Sequence, residues 1–201
     1  MSLDERKRAF LARTEQYLQA GHDRLAAASF VAAAAGEIDG PALDVGTGKG
    51  LLAMALARRG VDVVSVDVNE EDSELAALLA RDAGLAGRIR FLREDARSLP
   101  FADGSFGCAL MMDVLHHLDD AAPVVREMAR VVRPHGRIVV ADFTEDGFAT
   151  VSAIHRAEGR EHPRSAVTVD AAQHVLADAG WALAGEEVGH QQRVAWFRRN
   201  S

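Results

Sequence analysis

The feature that most constrains this chain is the run Leu43-Asp44-Val45-Gly46-Thr47-Gly48-Lys49-Gly50-Leu51-Leu52, an apolar strand feeding a glycine-rich turn that opens into an apolar helix. Glycines at alternate positions ask for a backbone that turns sharply and lies close to a ligand, because a Cβ there would stand in the way. A strand, turn and helix of this kind is one βα unit, and the rest of the chain repeats the pattern. From Pro41 onward, short β-branched runs alternate with longer amphipathic segments, which predicts a parallel sheet covered by helices on both faces.

The expected strands are 41–45, 61–66, 89–93, 107–112 and 137–141, with helices between them at about 50–59, 70–83 and 119–132, the last ending before Pro134. A further helix near 170–179, begun by Asp170 and stopped by Gly180, leads to two late strands at about 182–188 and 193–198. Ahead of the core, residues 3–20 and 23–35 read as helices split at Gly21. No internal repeat or linker breaks the 201 residues, a length that suits one domain. Four parts are expected within it: N-terminal helices over 1–39, a ligand-binding core over 40–142, an insertion over 143–169, and a closing helix with two strands over 170–201. The segment from Phe143 to Thr168 is longer than a simple connection needs, and such insertions at strand ends often carry function.

Composition excludes several functions. With 48% hydrophobic and 26% charged residues, the chain reads as a soluble globular protein. Its 30 acidic against 23 basic residues give a net charge of -7, which repels phosphate backbones and anionic membranes, so neither nucleic acid nor membrane is an expected partner. Cys108 is the single cysteine, which removes any intramolecular disulfide framework or cysteine-rich zinc site and points to a reducing, cytoplasmic compartment. The first residues show no signal-peptide core, and the alanine-rich run 26–35 is too short to span a bilayer.

The glycine spacing narrows the ligand. A dinucleotide fingerprint needs Gly or Ala where Leu51 stands, and a phosphate-binding P-loop needs Ser or Thr after Gly48-Lys49, where Gly50 stands. Acids then recur at successive strand ends. Asp67 closes Val63-Val64-Ser65-Val66 and is suited to accept from a pair of ribose hydroxyls. Asp95 with Ala96 closes the third strand, where a carboxylate can accept from an exocyclic adenine amine, and Asp113 closes the fourth. Each alone reads as a cap or a solvated turn; the ordered set reads as a ligand lying across adjacent strand ends.

With these residues in place, the chain resembles the class I S-adenosylmethionine-dependent methyltransferases, in the small-molecule branch of the ubiquinone and menaquinone C-methyltransferases. The resemblance covers roughly 40–145 and rests on Leu43 to Gly50, Asp67, Asp95-Ala96, Asp113 with Leu115-His116-His117-Leu118, and Val132-Arg133-Pro134-His135-Gly136-Arg137. It implies a Rossmann-like, doubly wound α/β fold with a seven-stranded sheet, mostly parallel with an antiparallel last strand, and an N-terminal helical lid. S-adenosylmethionine is the implied cofactor. By that resemblance Gly46 and Gly48 would face its methionine part, Asp67 its ribose, and Asp95 with Ala96 its adenine, with Asp44, Thr47, Lys49, Gly50 and Val68 as further cofactor-binding residues and Asp113 near the methionine end and the substrate. Lys49 and His135 depart from the small residue and the glycine common at those places, and Lys49 adds a charge near the cofactor.

Methyl transfer from a sulfonium is an in-line displacement, so the protein has to align donor and acceptor and exclude water, adding a base only where the nucleophile carries a proton of high pKa. His116 and His117 follow the fourth strand and are candidates for that base or for substrate hydrogen bonding; as structural loop histidines they would do neither. A second group is His155, Glu158 and His162, which at helical spacing share a narrow arc with Val151, while Arg156 and Arg160 point the other way. That face could line the acceptor pocket or offer two imidazoles and a carboxylate to a metal, or remain a solvated helix closed by Pro163. The spacing matches no metalloprotease pattern, and no metal site is assigned.

Asp113-Val114-Leu115-His116 stands where nucleobase-amine methyltransferases carry an Asp/Asn-Pro-Pro-aromatic run, and one cysteine is too few for arsenite methylation. The expected acceptor is therefore a small-molecule oxygen, nitrogen, sulfur or activated carbon. Two alternatives stand beside this reading. One is a non-catalytic S-adenosylmethionine-binding regulatory module, whose glycine loop would look the same. The other is a nicotinamide-dependent oxidoreductase, against which Leu51 counts. Oligomeric state is open.

Overall fold

The computed structural model describes residues 1–162 and 164–200; Pro163, expected to close the insertion helix, and Ser201 lie outside the described residues. Two helices lead. Ser2 and Glu5 form a reciprocal capping box that starts α1 (Leu3–Gln19), and the Asp23 carboxylate accepts from the Leu25 and Ala26 amides to start α2 (Arg24–Ala34). Gly21, at φ 84°, supplies the left-handed turn between them.

The core follows as β1 (Ala42–Val45), α3 (Leu51–Arg58), β2 (Val63–Asp67), α4 (Glu70–Asp82), β3 (Ile89–Arg93) and β4 (Phe106–Met112). The expected helix over 119–132 is shorter. A single 3-10 turn at Leu115–His117 comes first, and α5 (Ala122–Val131) begins with Pro123 in its first turn. The fifth strand, β5 (Val132–Phe143), is longer than the expected 137–141, because it starts directly from α5 and shifts register against β4 between Phe106 and Cys108. The insertion carries a helix, α6 (Glu145–Ala157), and the chain ends in α7 (Val169–Asp178), β6 (Trp181–Gly189) and β7 (Gln192–Arg199).

The strands form one seven-stranded sheet in the order β3-β2-β1-β4-β5-β7-β6, with β7 antiparallel to both neighbours and the first five strands parallel. Central strands are buried on both sides because successive residues face opposite layers. Ile138 and Val140 pack with Met128, Leu176 and Trp181 under α5 and α7, while Val139 and Ala141 pack with Val31 and Leu56 under α2 and α3. Cys108 belongs to the second layer, fully buried, and burial pushes its thiol up to about 12. No helix among the described residues is long and apolar enough to cross a membrane.

The sheet order reverses between β1, which leads outward to β2 and β3, and β4, which leads the other way to β5. Loops on the two sides of this switch point diverge and leave a crevice at the carboxyl ends of the strands.

Candidate active site

That crevice is a cleft of about 1150 Å³, larger than the roughly 300–1,000 Å³ of a usual small-molecule site and so roomy enough for two ligands. Its floor is the line of strand-end acids Asp44, Asp67, Asp95 and Asp113, with the buried Asp142 of β5 behind His116. Its roof is α1 and α2, with Phe10, Tyr17 and Arg24 in the wall.

Gly46, Gly48 and Gly50 adopt φ of 75°, 51° and 77°, the left-handed region that glycine enters without strain. At Gly46 a second reason applies: an added Cβ would stand 2.4 Å from Val114 Cγ2. The Gly46 and Thr47 amides both donate to the Val66 carbonyl, at 2.9 and 3.2 Å, which ties the loop to β2. Asp67 accepts from the Gly48 amide at 2.8 Å and from the Asn69 amide at 2.9 Å, leaving lone pairs on each oxygen for a ligand. Thr47 Oγ1 is buried with no hydrogen-bond partner among the described residues. Asp44 accepts from Ser65 Oγ at 2.8 Å, and burial pushes its carboxyl up to about 6.

Lys49 is less available than its sequence position suggests, because its ammonium is paired with Asp72 on α4. Val68 is exposed at the rim, with Ala96 in the wall nearby. Asp95 is bonded by Arg97, which holds its carboxyl down at about 2. An acid-lined cradle open at the glycine loop fits a ligand with a diol and two cationic groups, the chemistry of S-adenosylmethionine.

At the other end, imidazoles gather. His116 Nδ1 lies 2.7 Å from Asp142 Oδ1, and the His116 amide donates to Asp142 Oδ2 at 3.1 Å. A carboxylate only accepts, so Nδ1 carries the proton and Nε2 presents its lone pair. That Nε2 is buried and has no partner among the described residues. His117 and His162 stack around His116 with ring centroids 4.1 and 4.9 Å away, and Phe143 and Phe148 complete the pocket at 5.5 and 5.2 Å. Burial, reinforced by the neighbouring imidazoles, pushes His162 down to about 4. His117 is lowered too, by burial and then His116, and His155 by burial and then Arg160, so these rings favour their neutral forms.

The arc drawn through His155, Glu158 and His162 needs correction. The helix ends at Ala157, and the chain turns back with the Arg160 amide donating to the His155 carbonyl at 2.9 Å. The turn brings His162 to 4.7 Å from His155 by ring centroids, but it leaves Glu158 with Arg13 at 2.9 Å and with Arg160. Arg160, expected on the opposite side, lines the cleft. Among the described residues no three His, Cys, Asp or Glu side chains gather so as to hold a metal.

Sequence reasoning missed Asp142, although Val140-Ala141-Asp142 repeats the strand-end acid pattern one strand further on. Gln192 was also missed: from β7, its Nε2 donates to Asp113 Oδ1 at 2.9 Å. Asp113 itself sits at φ 58°, and burial, with Asp142 alongside, pushes its carboxyl up to about 7.

A methyltransferase-domain family model matches residues 43–140. The methyltransferase GfsG of Streptomyces halstedii is 42% identical over 106 residues, covering 52% of this chain and 38% of that one. The demethylmenaquinone methyltransferase of Beutenbergia cavernae is 34% identical over 142 residues, covering 71% and 57%. Among solved structures, the YcgJ protein of Bacillus subtilis superimposes with a TM-score of 0.64 at 28% identity, covering 80% of this chain and 70% of that one. The chain carries a methyltransferase domain over residues 43–140 and is similar to the class I S-adenosylmethionine-dependent methyltransferases. It spans about half the length of the curated relatives it matches.

Proposed function

We propose that the chain transfers a methyl group to a small-molecule acceptor, with His116 as general base and Asp142 as the residue that positions it. The observation that carries this reading is the buried, unpartnered Nε2 of His116, whose ring opens into the same cleft as the glycine loop. When bound, S-adenosylmethionine supplies an electrophilic methyl group on sulfur and leaves as S-adenosylhomocysteine.

The chain's own residues do the rest. Gly46, Thr47, Gly48 and Gly50 allow close approach at the methionine part, with Asp44 and Asp113 beside it. Asp67 and Val68 hold the ribose, and Asp95 and Ala96 the adenine. Lys49, paired with Asp72, fixes the loop against α4. His116 Nε2 removes the proton of the acceptor's nucleophile as the new bond to carbon forms, and Asp142 stabilises the imidazolium so produced. His117, His155 and His162 shape the acceptor pocket as neutral rings; Glu158 keeps Arg13 and Arg160 in its wall.

In this reading residues 1–39 are a lid, 40–142 the cofactor core, 143–169 a substrate cap, and 170–201 the closing helix and strands. The single buried Cys108 and the net charge of -7 favour a cytoplasmic protein acting on a small molecule rather than on nucleic acid or at a membrane. Calorimetry with S-adenosylhomocysteine, followed by transfer of labelled methyl groups to a panel of phenols, amines and thiols, tests the reading. Binding with transfer supports it; binding without transfer to any acceptor points to a regulatory module, and absence of binding removes the cofactor assignment.

A further inference from the structure

Among the described residues, five arginines line the cleft: Arg6, Arg13, Arg24, Arg97 and Arg160. Arg6 pairs with Glu74 and Arg97 with Asp95. Arg13 and Arg160 share Glu158 as counter-ion. Arg24 has none: its guanidinium forms no hydrogen bond or ion pair among the described residues, and it lies over the rings of Phe10 and Tyr17, 5.4 and 5.0 Å from their centroids.

The acids that might have neutralised it are engaged elsewhere. Asp23, next in sequence, caps α2. Asp113 accepts from Gln192 at 2.9 Å and forms no ion pair with Arg24 among the described residues. This half-buried guanidinium has donors to spare, and its planar fork is shaped to take a carboxylate with two parallel hydrogen bonds. The charges that act on Arg24 are those of Tyr17, Asp113 and Arg13; Asp113 stands between the cofactor's methionine end and the acceptor, so the test has to separate the cofactor's own carboxylate from an acceptor's.

The geometry points to a carboxylate-bearing acceptor, its acid group held by Arg24 between the rings of Phe10 and Tyr17. This rests on the cleft being the acceptor site of a methyltransferase. The unpaired cation in the cleft wall, held in place by the two rings, serves one ligand chemistry: a small acid whose nucleophile reaches the imidazole pocket while its carboxylate stays under the lid.

Three ligands test this by titration of the wild-type chain and Arg24→Gln: S-adenosylhomocysteine, 5′-methylthioadenosine, which lacks the amino-acid carboxylate, and benzoate added to the cofactor-saturated protein. The expected result is unchanged affinity for both adenosyl ligands and a loss of benzoate affinity of roughly tenfold or more, the scale of charge-assisted hydrogen bonds. Arg24→Lys should fall between, since it keeps the charge and loses the fork. Equal benzoate binding in all variants, or none by the wild type, overturns the proposal. So does an Arg24→Gln protein that loses S-adenosylhomocysteine but keeps 5′-methylthioadenosine, because the guanidinium then serves the cofactor's own carboxylate. If the wild type binds neither adenosyl ligand, the cofactor assignment fails separately, and benzoate titrated alone still decides the role of Arg24. Should Arg24→Gln not fold, Arg24→Lys is read instead: a severalfold loss of benzoate affinity with unchanged adenosyl affinity is expected, and wild-type benzoate affinity overturns the proposal.

Discussion

His116 Nδ1 and Asp142 Oδ1 lie 2.7 Å apart, joining the turn after the fourth strand to the end of the fifth. The pair fixes the tautomer and leaves Nε2 facing the cleft. His116→Gln should therefore lower methyl transfer by about 10²–10⁴-fold, the usual contribution of a positioned base. S-adenosylhomocysteine affinity should stay within twofold. Asp142→Asn should reduce turnover with the same selectivity, because an amide can stabilise the wrong tautomer. Parallel loss of ligand affinity in both variants would mean that the pair is structural.

Asp67 already accepts two backbone amides of its own chain. Asp67→Asn retains one acceptor for the Gly48 amide while removing the charge that a ribose diol would use. Cofactor affinity should fall by about 1.5–3 kcal/mol without loss of folding. Calorimetry alongside a thermal melt reads both, and unchanged affinity would take Asp67 out of the site.

The glycine loop should respond unevenly to alanine. Gly46→Ala adds a methyl 2.4 Å from Val114 Cγ2 at φ 75°, whereas Gly48→Ala at φ 51° meets no atom within 4 Å. Backbone strain alone costs about 1–2 kcal/mol at either position. The Gly46 variant should melt lower than the Gly48 variant, and adding Val114→Ala should recover part of the difference. Equal melting temperatures would show that the loop relaxes freely.

Two buried groups pull the pH dependence of stability in opposite directions. Asp113 is raised from 3.8 to about 7, so the folded chain holds its proton more tightly; that stabilisation is complete below the unfolded value and is lost as pH rises from 3.8 through 7. His162 is lowered from 6.5 to about 4, so stability is lost as pH falls through that window. Urea unfolding at pH 5 and pH 8 separates them. Relative to wild type, Asp113→Asn should favour pH 8, and His162→Gln should favour pH 5. A variant with the wild-type difference would show that its group ionises normally.

Much of the fold was legible because its signals are local. The glycine turn after Val45, the β-branched runs and the break at Gly21 act within a few residues, and the run from Val63 to Asp67 reads as a strand without its neighbours, whereas the last helix is capped by Thr168 rather than begun by Asp170. The line of strand-end acids along the cleft was legible for a related reason: a parallel sheet places every strand's carboxyl end on one edge, so order along the chain becomes neighbourhood in space. Asp142 was missed only because the rule was not carried to the fifth strand.

The arc through His155, Glu158 and His162 shows where local reasoning stops. Helical spacing was extended past Ala157, yet the chain turned back there, and His162 met His116 by tertiary packing rather than by periodicity. Glu158 was drawn to Arg13, 145 positions away in sequence. The sequence by itself determined the sheet, the glycine cradle and the acids along its edge, since these follow from backbone conformation and side-chain period. Only the tertiary structure decided which histidine is paired with a strand-end acid, which cleft arginine lacks a counter-ion and which helix roofs the cleft. Those depend on which distant charges and rings are brought together, and no pattern of neighbours along a chain records that.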